Sequence, residues 1–452
     1  MQNQSTMTAP ITPTDIAIAK RIQSIDPSDC QLYSEDGFWV VDLNVVRRQL
    51  ERWRKELPLI RPFYAVKCNP TPRLLAFLAQ SSYNLGFDCA THAEISQILN
   101  LGVPPENIIY ANPCKAPSHL RYAAAASVRT MTFDNSTELY KIRQCAPDAR
   151  CVIRIKLTPG AASHTDGDIE TPMYDLSLKY GVTFEGARDS LLLARRLGLS
   201  VVGIAFHVGS GQADVRAYAR YIVEARKVWR LAAETGHVFS LLDIGGGFMD
   251  ERFEEAAGVI REVLEREFGD MMRDGNVQII AEPGRYICAP GFTLATNVIA
   301  VRAEDEDSGG VSGKRAVYLA DGMYSNINAA MWPGELTFPT VVRGRRMRAM
   351  DEAEVAPVSP VSNDSGVEFD ESEGSNAGDG EVGMRMEGAL QEYTVWGPTC
   401  DSSDVILKSA WLPRGIEVGD WFVFKGLGAY SVCMRNPFNG FSTEHEFYYI
   451  DE

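Results

Sequence analysis

The chain has 452 residues, enough for a large buried core and, at the usual ~150 residues per domain, for two or three domains. Apolar residues make up 45% and charged residues 23%, which is a globular balance, and Lys+Arg 44 against Asp+Glu 60 give a net charge of -16 that excludes a sequence-independent nucleic-acid binder. No apolar run approaches the ~18 residues of a membrane span, and the polar first twenty residues lack the form of a secretory signal.

In chain order, segment 31–43 (QLYSEDGFWVVDL) is strand-like. Between residues 62 and 290, short apolar runs alternate with longer segments of helical period. The short runs are 63–67, 85–90, 108–113, 130–135, 151–156, 201–209, 241–248 and 277–284, and segments such as AEISQILNLG between them read as amphipathic helices. Alternating strands and helices require crossovers and a parallel sheet, and eight such units is the count that closes a (β/α)8 barrel; a doubly wound open sheet is the rival. After residue 290 the alternation stops and extended runs follow at 292–301, 315–322, 392–399, 420–432 and 446–450. Residues 351–381 hold ten acidic residues and no Lys or Arg, the composition of a disordered surface insertion, and a smaller loop of that kind covers 303–313. The expected fold class is therefore α/β: a (β/α)8 barrel over 45–290 and a β domain from 15–44 and 291–452, interrupted by an acidic insertion at about 351–383. Nine scattered cysteines without a CxxC pair predict a reduced, cytoplasmic compartment and no metal site.

In parallel α/β barrels the active site lies at the C-terminal ends of the strands. Here Lys67, Asp88, Asn112, Arg154, His207, the triplet Gly245, Gly246 and Gly247, and Glu282 occupy such positions. A lone lysine there is more often a surface charge and a lone histidine more often structural, but eight strand ends converge on one mouth. Lys67, after apolar Tyr64, Ala65 and Val66, is expected to have a pKa depressed by desolvation, as condensation with an aldehyde requires. A glycine run after a strand exposes N–H groups to a phosphate, HVGSG at 207–211 offers a second such loop, and Glu282 can hold a ring nitrogen protonated. Together these are the requirements of pyridoxal 5'-phosphate.

The motifs PFYAVKCNP (62–70), FDCATHAEI (87–95), YANPCK (110–115), FHVGSG (206–211), LLDIGGGF (241–248), EPGRY (282–286), ADGMYSN (320–326), WGPTCDSSD (396–404), GAYSV (428–432) and FNGF (438–441) resemble, in order, those of eukaryotic ornithine decarboxylases. The resemblance implies an alanine-racemase-like barrel followed by a β domain, and a head-to-tail homodimer with shared active sites. It implies Lys67 as the cofactor lysine, Glu282 as the pyridinium partner and His207 stacked on the ring. Ser210, Gly246, Gly247, Gly284, Arg285 and Tyr430 are then the phosphate cradle, supported by Asp88, Glu94 and Arg154. Cys400 corresponds to the cysteine that reprotonates the substrate carbon, Asp401 to the carboxylate that binds the distal amine from the neighbouring subunit, and Tyr324 and Phe438 to its pocket. Lys179 and Asp404 correspond to an intersubunit ion pair.

One departure bears on the substrate. Relatives acting on ornithine carry a Tyr-Asp pair eight and nine residues after the tyrosine matching Tyr324, where this chain has Trp332 and Pro333; Glu335 could substitute for the missing carboxylate. The expected activity is a pyridoxal-phosphate-dependent α-decarboxylation of a diamino acid or N-substituted diamino acid in specialised, alkaloid-type metabolism. Ornithine decarboxylation to putrescine and a non-catalytic, antizyme-inhibitor-like regulator are the alternatives. A racemase would need a second base where Cys400 stands.

Overall fold

The structure, a computed structural model, describes residues 11–26, 36–80, 82–157, 176–212, 214–303, 314–331, 336–344 and 383–451. The chain forms two compact units: Asp42–Phe292 with Gly426–Met434 and Asp451–Glu452, and Met1–Val41 with Thr293–Lys425 and Arg435–Ile450. Among the described residues no helix is long and apolar enough to cross a membrane.

The chain opens with α1 (Pro13–Ser24) and β1 (Phe38–Asp42) and then enters the larger unit. There β2 (Ile60–Ala65), β3 (Gly86–Cys89), β4 (Ile108–Tyr110), β5 (Thr130–Phe133), β6 (Arg150–Arg154), β7 (Ser200–Ala205), β8 (Leu241–Asp243) and β9 (Gln278–Ala281) form a closed barrel in sequence order. Every pairing is parallel, and Ile60 opposite Ile279 closes the ring. The eight strands fall on the eight apolar runs, and the open-sheet rival is set aside by the β2–β9 pairing. Such strands are buried on both faces, which is why their sequences read as apolar runs rather than alternating ones. Phe63, Ile109, Val152, Ala205, Leu241 and Ile280 pack together as one core cluster.

The helices are α2 (Leu43–Glu56), α3 (Pro72–Ala79), α4 (His92–Asn100), α5 (Pro117–Ala125), α6 (Ser136–Cys145), α7 (Phe184–Arg196), α8 (Arg216–Glu234), α9 (Phe253–Arg273) and the single turn α10 (Arg285–Cys288). Their starts are written locally: Thr91, Asn135 and Thr183 each accept the N–H of the residue three positions on, satisfying a donor the helix cannot. Trp53, Phe248, Phe253 and Tyr286 join α2, the loop after β8, α9 and α10 in one aromatic cluster, with Phe253 stacked on Tyr286 at 4.1 Å.

In the smaller unit, β10 (Phe292–Ala303), β11 (Arg315–Leu319), β12 (Thr340–Val342), β13 (Leu390–Trp396), β14 (Val405–Pro413), β15 (Trp421–Lys425) and β16 (Glu446–Ile450) join β1 in an eight-stranded sheet. Its order is β12-β15-β10-β11-β13-β14, with β1 pairing β10 and β16. Ile18 and Ile22 of α1 cover it, packing on Phe38, Val40, Ala295, Trp421 and Val423. One expected run is corrected: the extended stretch 420–432 stops at Lys425, because Gly426 turns the chain at φ +77. Gly426–Met434 then belongs to the barrel unit rather than to the β domain. Of the two expected acidic insertions, residues 304–313 and 345–382 lie outside the described residues.

Candidate active site

The C-terminal ends of the barrel strands gather the ionisable residues. Lys67 sits in the turn Val66–Cys68 directly after β2, Asp88 lies within β3, and Arg154 closes β6. His207 follows β7 by two residues and Glu282 is the first residue past β9. One pocket is lined by Lys67, His207, Ser210, Gly246, Gly247, Glu282, Gly284, Arg285 and Tyr430, with Ala65, Gly211 and Phe248.

Charge in this pocket is set by mutual proximity. The ammonium of Lys67 bonds the carboxylate of Asp88, which is fully buried. Burial by itself lowers the lysine's pKa, but the negative charges of Asp88 and Glu282 outweigh it and hold the amine above its usual range. The expected depressed pKa is therefore corrected: desolvation is present, and two carboxylates reverse its effect. His207 goes the other way, because burial and the nearby Arg154 and Lys67 push its pKa well down, leaving a neutral imidazole whose Nδ1 accepts the Gly209 N–H at 3.0 Å. Glu282 is raised by burial and by Asp243 and Asp88. Glu94 accepts the Ala90 N–H at 2.5 Å, and burial raises it too. Asn112 is absorbed in a turn, accepting the Cys114 N–H at 3.1 Å.

Backbone approach explains the glycines. A Cβ on Gly246 would lie 2.8 Å from His207 Nε2 and 2.9 Å from the Glu282 carbonyl, and one on Gly247 would lie 2.6 Å from the Gly209 carbonyl at φ +104. Tyr430 takes φ +55, donates its N–H to the Cys68 carbonyl at 2.9 Å and places its ring 5.3 Å from the Arg285 guanidinium. Two contributors escaped the sequence reading. Tyr218, buried on α8, donates to the Gly246 carbonyl at 3.0 Å and thereby braces the glycine loop. Asp243, the last residue of β8, stood inside the LLDIGGGF motif but was passed over for the glycines that follow it.

The second group of predicted residues lies in the smaller unit. The Tyr324 hydroxyl bonds the Asp401 carboxylate, and Phe438 packs on the Tyr324 ring at 4.7 Å. Tyr324 and the Ser403 N–H hold Asp401 below the usual carboxylate range. Cys400 is exposed and donates its N–H to Asn439 Oδ1 at 3.0 Å. Behind this cluster His445 and Asp321 form a buried pair at 3.0 Å, which the sequence did not signal. Asp404, matched to an intersubunit pair with Lys179, accepts the N–H groups of Met323 and Thr399 and the Thr399 hydroxyl within its own chain. Trp332, Pro333 and Glu335 lie outside the described residues.

An amine, a neutral imidazole, a carboxylate, and a cradle of close-packed glycines with Ser210, Arg285 and Tyr430 fit a phosphorylated pyridine aldehyde, so this barrel mouth defines a pyridoxal-phosphate-dependent enzyme. Residues 43–289 match the family model described as pyridoxal-dependent decarboxylase, pyridoxal binding domain. The chain is 40% identical to ornithine decarboxylase from Neurospora crassa, across 96% of this chain and 84% of that one. It is 37% identical to antizyme inhibitor 2 from Xenopus laevis, across 91% and 80%. The crystal structure of the Paramecium bursaria Chlorella virus arginine decarboxylase bound to agmatine superposes with a TM-score of 0.76 at 28% identity, covering 96% of this chain and 100% of that one. The chain belongs to the ornithine decarboxylase family of pyridoxal-dependent decarboxylases, whose ornithine, arginine and lysine decarboxylases are carboxy-lyases.

Proposed function

We propose that this decarboxylase acts on a diamino acid or an N-substituted diamino acid in specialised, alkaloid-type metabolism, as a head-to-tail homodimer in the cytoplasm. The observation that carries the substrate reading is the pairing of a retained Tyr324, Asp401 and Phe438 cluster with Trp332 and Pro333, where an ornithine enzyme presents a second carboxylate. Pyridoxal phosphate, when bound, supplies an electron sink for the bond to the departing carboxylate. Lys67 would hold the cofactor's aldehyde carbon. Ser210, Gly246, Gly247, Gly284, Arg285 and Tyr430 would hold its phosphate, with Asp88 and Arg154 supporting that site. The neutral imidazole of His207 would cover its ring, and Glu282 would hold its nitrogen. Cys400 of one subunit would supply the proton for the substrate's α-carbon, and Asp401 beside it would bind the distal amine.

Losing one partner of a buried charge pair costs ~2–5 kcal/mol. At ~1.4 kcal/mol per tenfold, kcat/KM for ornithine should fall roughly thirty-fold to a few thousand-fold below that of an ornithine-specific relative. The assay compares ornithine, lysine and N-substituted diamino acids by carbon dioxide release. Ornithine turnover at ~10⁴ M⁻¹s⁻¹ or above returns the chain to putrescine synthesis and makes Glu335 the substitute carboxylate. A second reading, a non-catalytic regulator, is favoured by the similarity to antizyme inhibitor 2. A visible band from lysine-bound cofactor, lost in Lys67→Ala, separates the two.

A further inference from the structure

Asp243 is fully buried at the end of β8, three residues before the pocket-lining Gly246. Its Oδ1 accepts the Gly245 N–H at 2.9 Å. Its Oδ2 is also buried and meets no N–H or O–H donor among the described residues. The side chain of Glu282 stands at hydrogen-bonding reach of the Asp243 carboxyl group. The backbone locks that juxtaposition, because the Glu282 N–H donates to the Gly245 carbonyl at 2.7 Å while Asp243 runs in register with Ile280 of β9. Two carboxylate oxygens are both acceptors, so their contact is a hydrogen bond only if a proton lies between them, and without it a buried charge faces a like charge.

We propose that Asp243 and Glu282 share a single proton, so that the pair presents one negative charge to the cofactor ring rather than two, and that Asp243 is the positioning residue that keeps Glu282 aimed and singly charged. This rests on the pyridoxal-phosphate reading of the pocket; Asp243 lies within the LLDIGGGF motif, but none of the roles the resemblance implies falls on it. The surrounding charges agree. Asp88 on β3 is a third carboxylate that raises both acids, while Arg154 on β6 is a cation that lowers both and Lys67 after β2 lowers Glu282. Neutral His207, after β7, adds no charge. Burial raises the Asp243 carboxyl to about 7 and Glu282 well above the usual carboxylate range, the direction that proton sharing requires. The pair is the same device as two carboxyl groups sharing a site elsewhere, where one proton is retained far above the normal range.

The test is infrared spectroscopy of the full-length chain, both loaded with pyridoxal phosphate and stripped of it. The wild type should show the C=O stretch of a protonated carboxylic acid at neutral pH. That band should disappear in Asp243→Asn and in Glu282→Gln but persist in Glu94→Gln, which controls for the other raised carboxyl at the mouth. Asp243→Asn should still bind pyridoxal phosphate, with the pH dependence of the bound cofactor's visible absorption shifted from that of the wild type. Absence of the band in the wild type, or its survival in both pair variants, overturns the proposal. An Asp243→Asn holoenzyme whose absorption profile against pH matches the wild type also overturns it. If Asp243→Asn does not fold, the wild-type and Glu282→Gln spectra decide. Because the band is read without turnover, a chain that binds cofactor but releases no carbon dioxide would fail the decarboxylase reading and leave this one standing.

Discussion

At the scale of single residues, the mouth of the barrel shows how one side chain's chemistry is set by its neighbours. Lys67 is a strongly held cation because Asp88 and Glu282 outweigh its burial, and His207 is a neutral ring because burial, with Arg154 and Lys67 beside it, disfavours its charge. The glycines are equally constrained. At Gly247 an L-residue must take φ +104 and push its Cβ to 2.6 Å from the Gly209 carbonyl. Strain of that kind costs about 1–3 kcal/mol, and the loop relieves it by moving away from its neighbours. Gly247→Ala should therefore lower the thermal midpoint and weaken binding of pyridoxal phosphate. Affinity for pyridoxal, which lacks the phosphate, should hardly change. Titration of both by absorbance checks this, and equal loss for the two ligands would move Gly247 out of the phosphate cradle.

At the scale of elements, turns carry the chemistry and strands hold them still. The turn after β11 that presents Tyr324 is anchored by Asp321, which accepts the Asn326 N–H at 2.9 Å and pairs with His445 beside β16. Burial opposes charge on both partners, yet the pairing wins: Asp321 lies below its ordinary pKa and His445 above. Asp36 adds to the raising of His445 and Arg435 opposes it. The signs follow from linkage. The histidine's contribution is complete below its unfolded value of ~6.5 and fades as pH rises through its higher folded value. The aspartate's contribution is present above ~3.9 and is lost only as pH falls through its lower folded value. The turn should thus be best protected between ~4 and ~6.5 and loosen above. Amide hydrogen exchange of residues 321–326, corrected for intrinsic rates, should show protection falling as pH is raised. His445→Gln should flatten that dependence, and an unchanged profile in the variant would remove His445 from the anchor.

At the scale of the whole molecule, the segment between Gly344 and Gly383 leaves and re-enters the smaller unit at one place. Gly383 donates to the Arg343 carbonyl at 2.7 Å, Arg343 to Met384 at 2.8 Å and Met386 to Val341 at 2.8 Å, so the two ends are already paired antiparallel. Loop length then matters little, since each doubling costs only ~0.6 kcal/mol. Replacing residues 345–382 by a short glycine-containing turn should leave the thermal midpoint within a few degrees and the cofactor band intact. Loss of either would show that the acidic stretch is structural. The proposed head-to-tail dimer is tested at this scale too. Sedimentation analysis at assay concentrations checks it: the wild type should run as a dimer, and a monomer retaining turnover would mean that each chain completes its own site.

Much of this was legible along the chain. Eight apolar runs separated by helical periods predict a closed barrel because parallel strands, covered on both faces, must be apolar throughout. Lys67, His207 and Glu282 could be placed at strand ends by counting, and the glycine runs by their position after a strand. What the chain order could not disclose was proximity between residues far apart in sequence. The sign of the Lys67 shift depends on Asp88 and Glu282, and the tension at Asp243 depends on Glu282, which β9 brings beside β8. The end of β15 at Lys425 and the return of Gly426–Met434 to the barrel unit follow from a left-handed glycine within an otherwise strand-like run. Composition and periodicity are local sums, so they determined the architecture and the type of chemistry. Protonation states and charge partners are properties of through-space neighbours, and only the folded chain decided them.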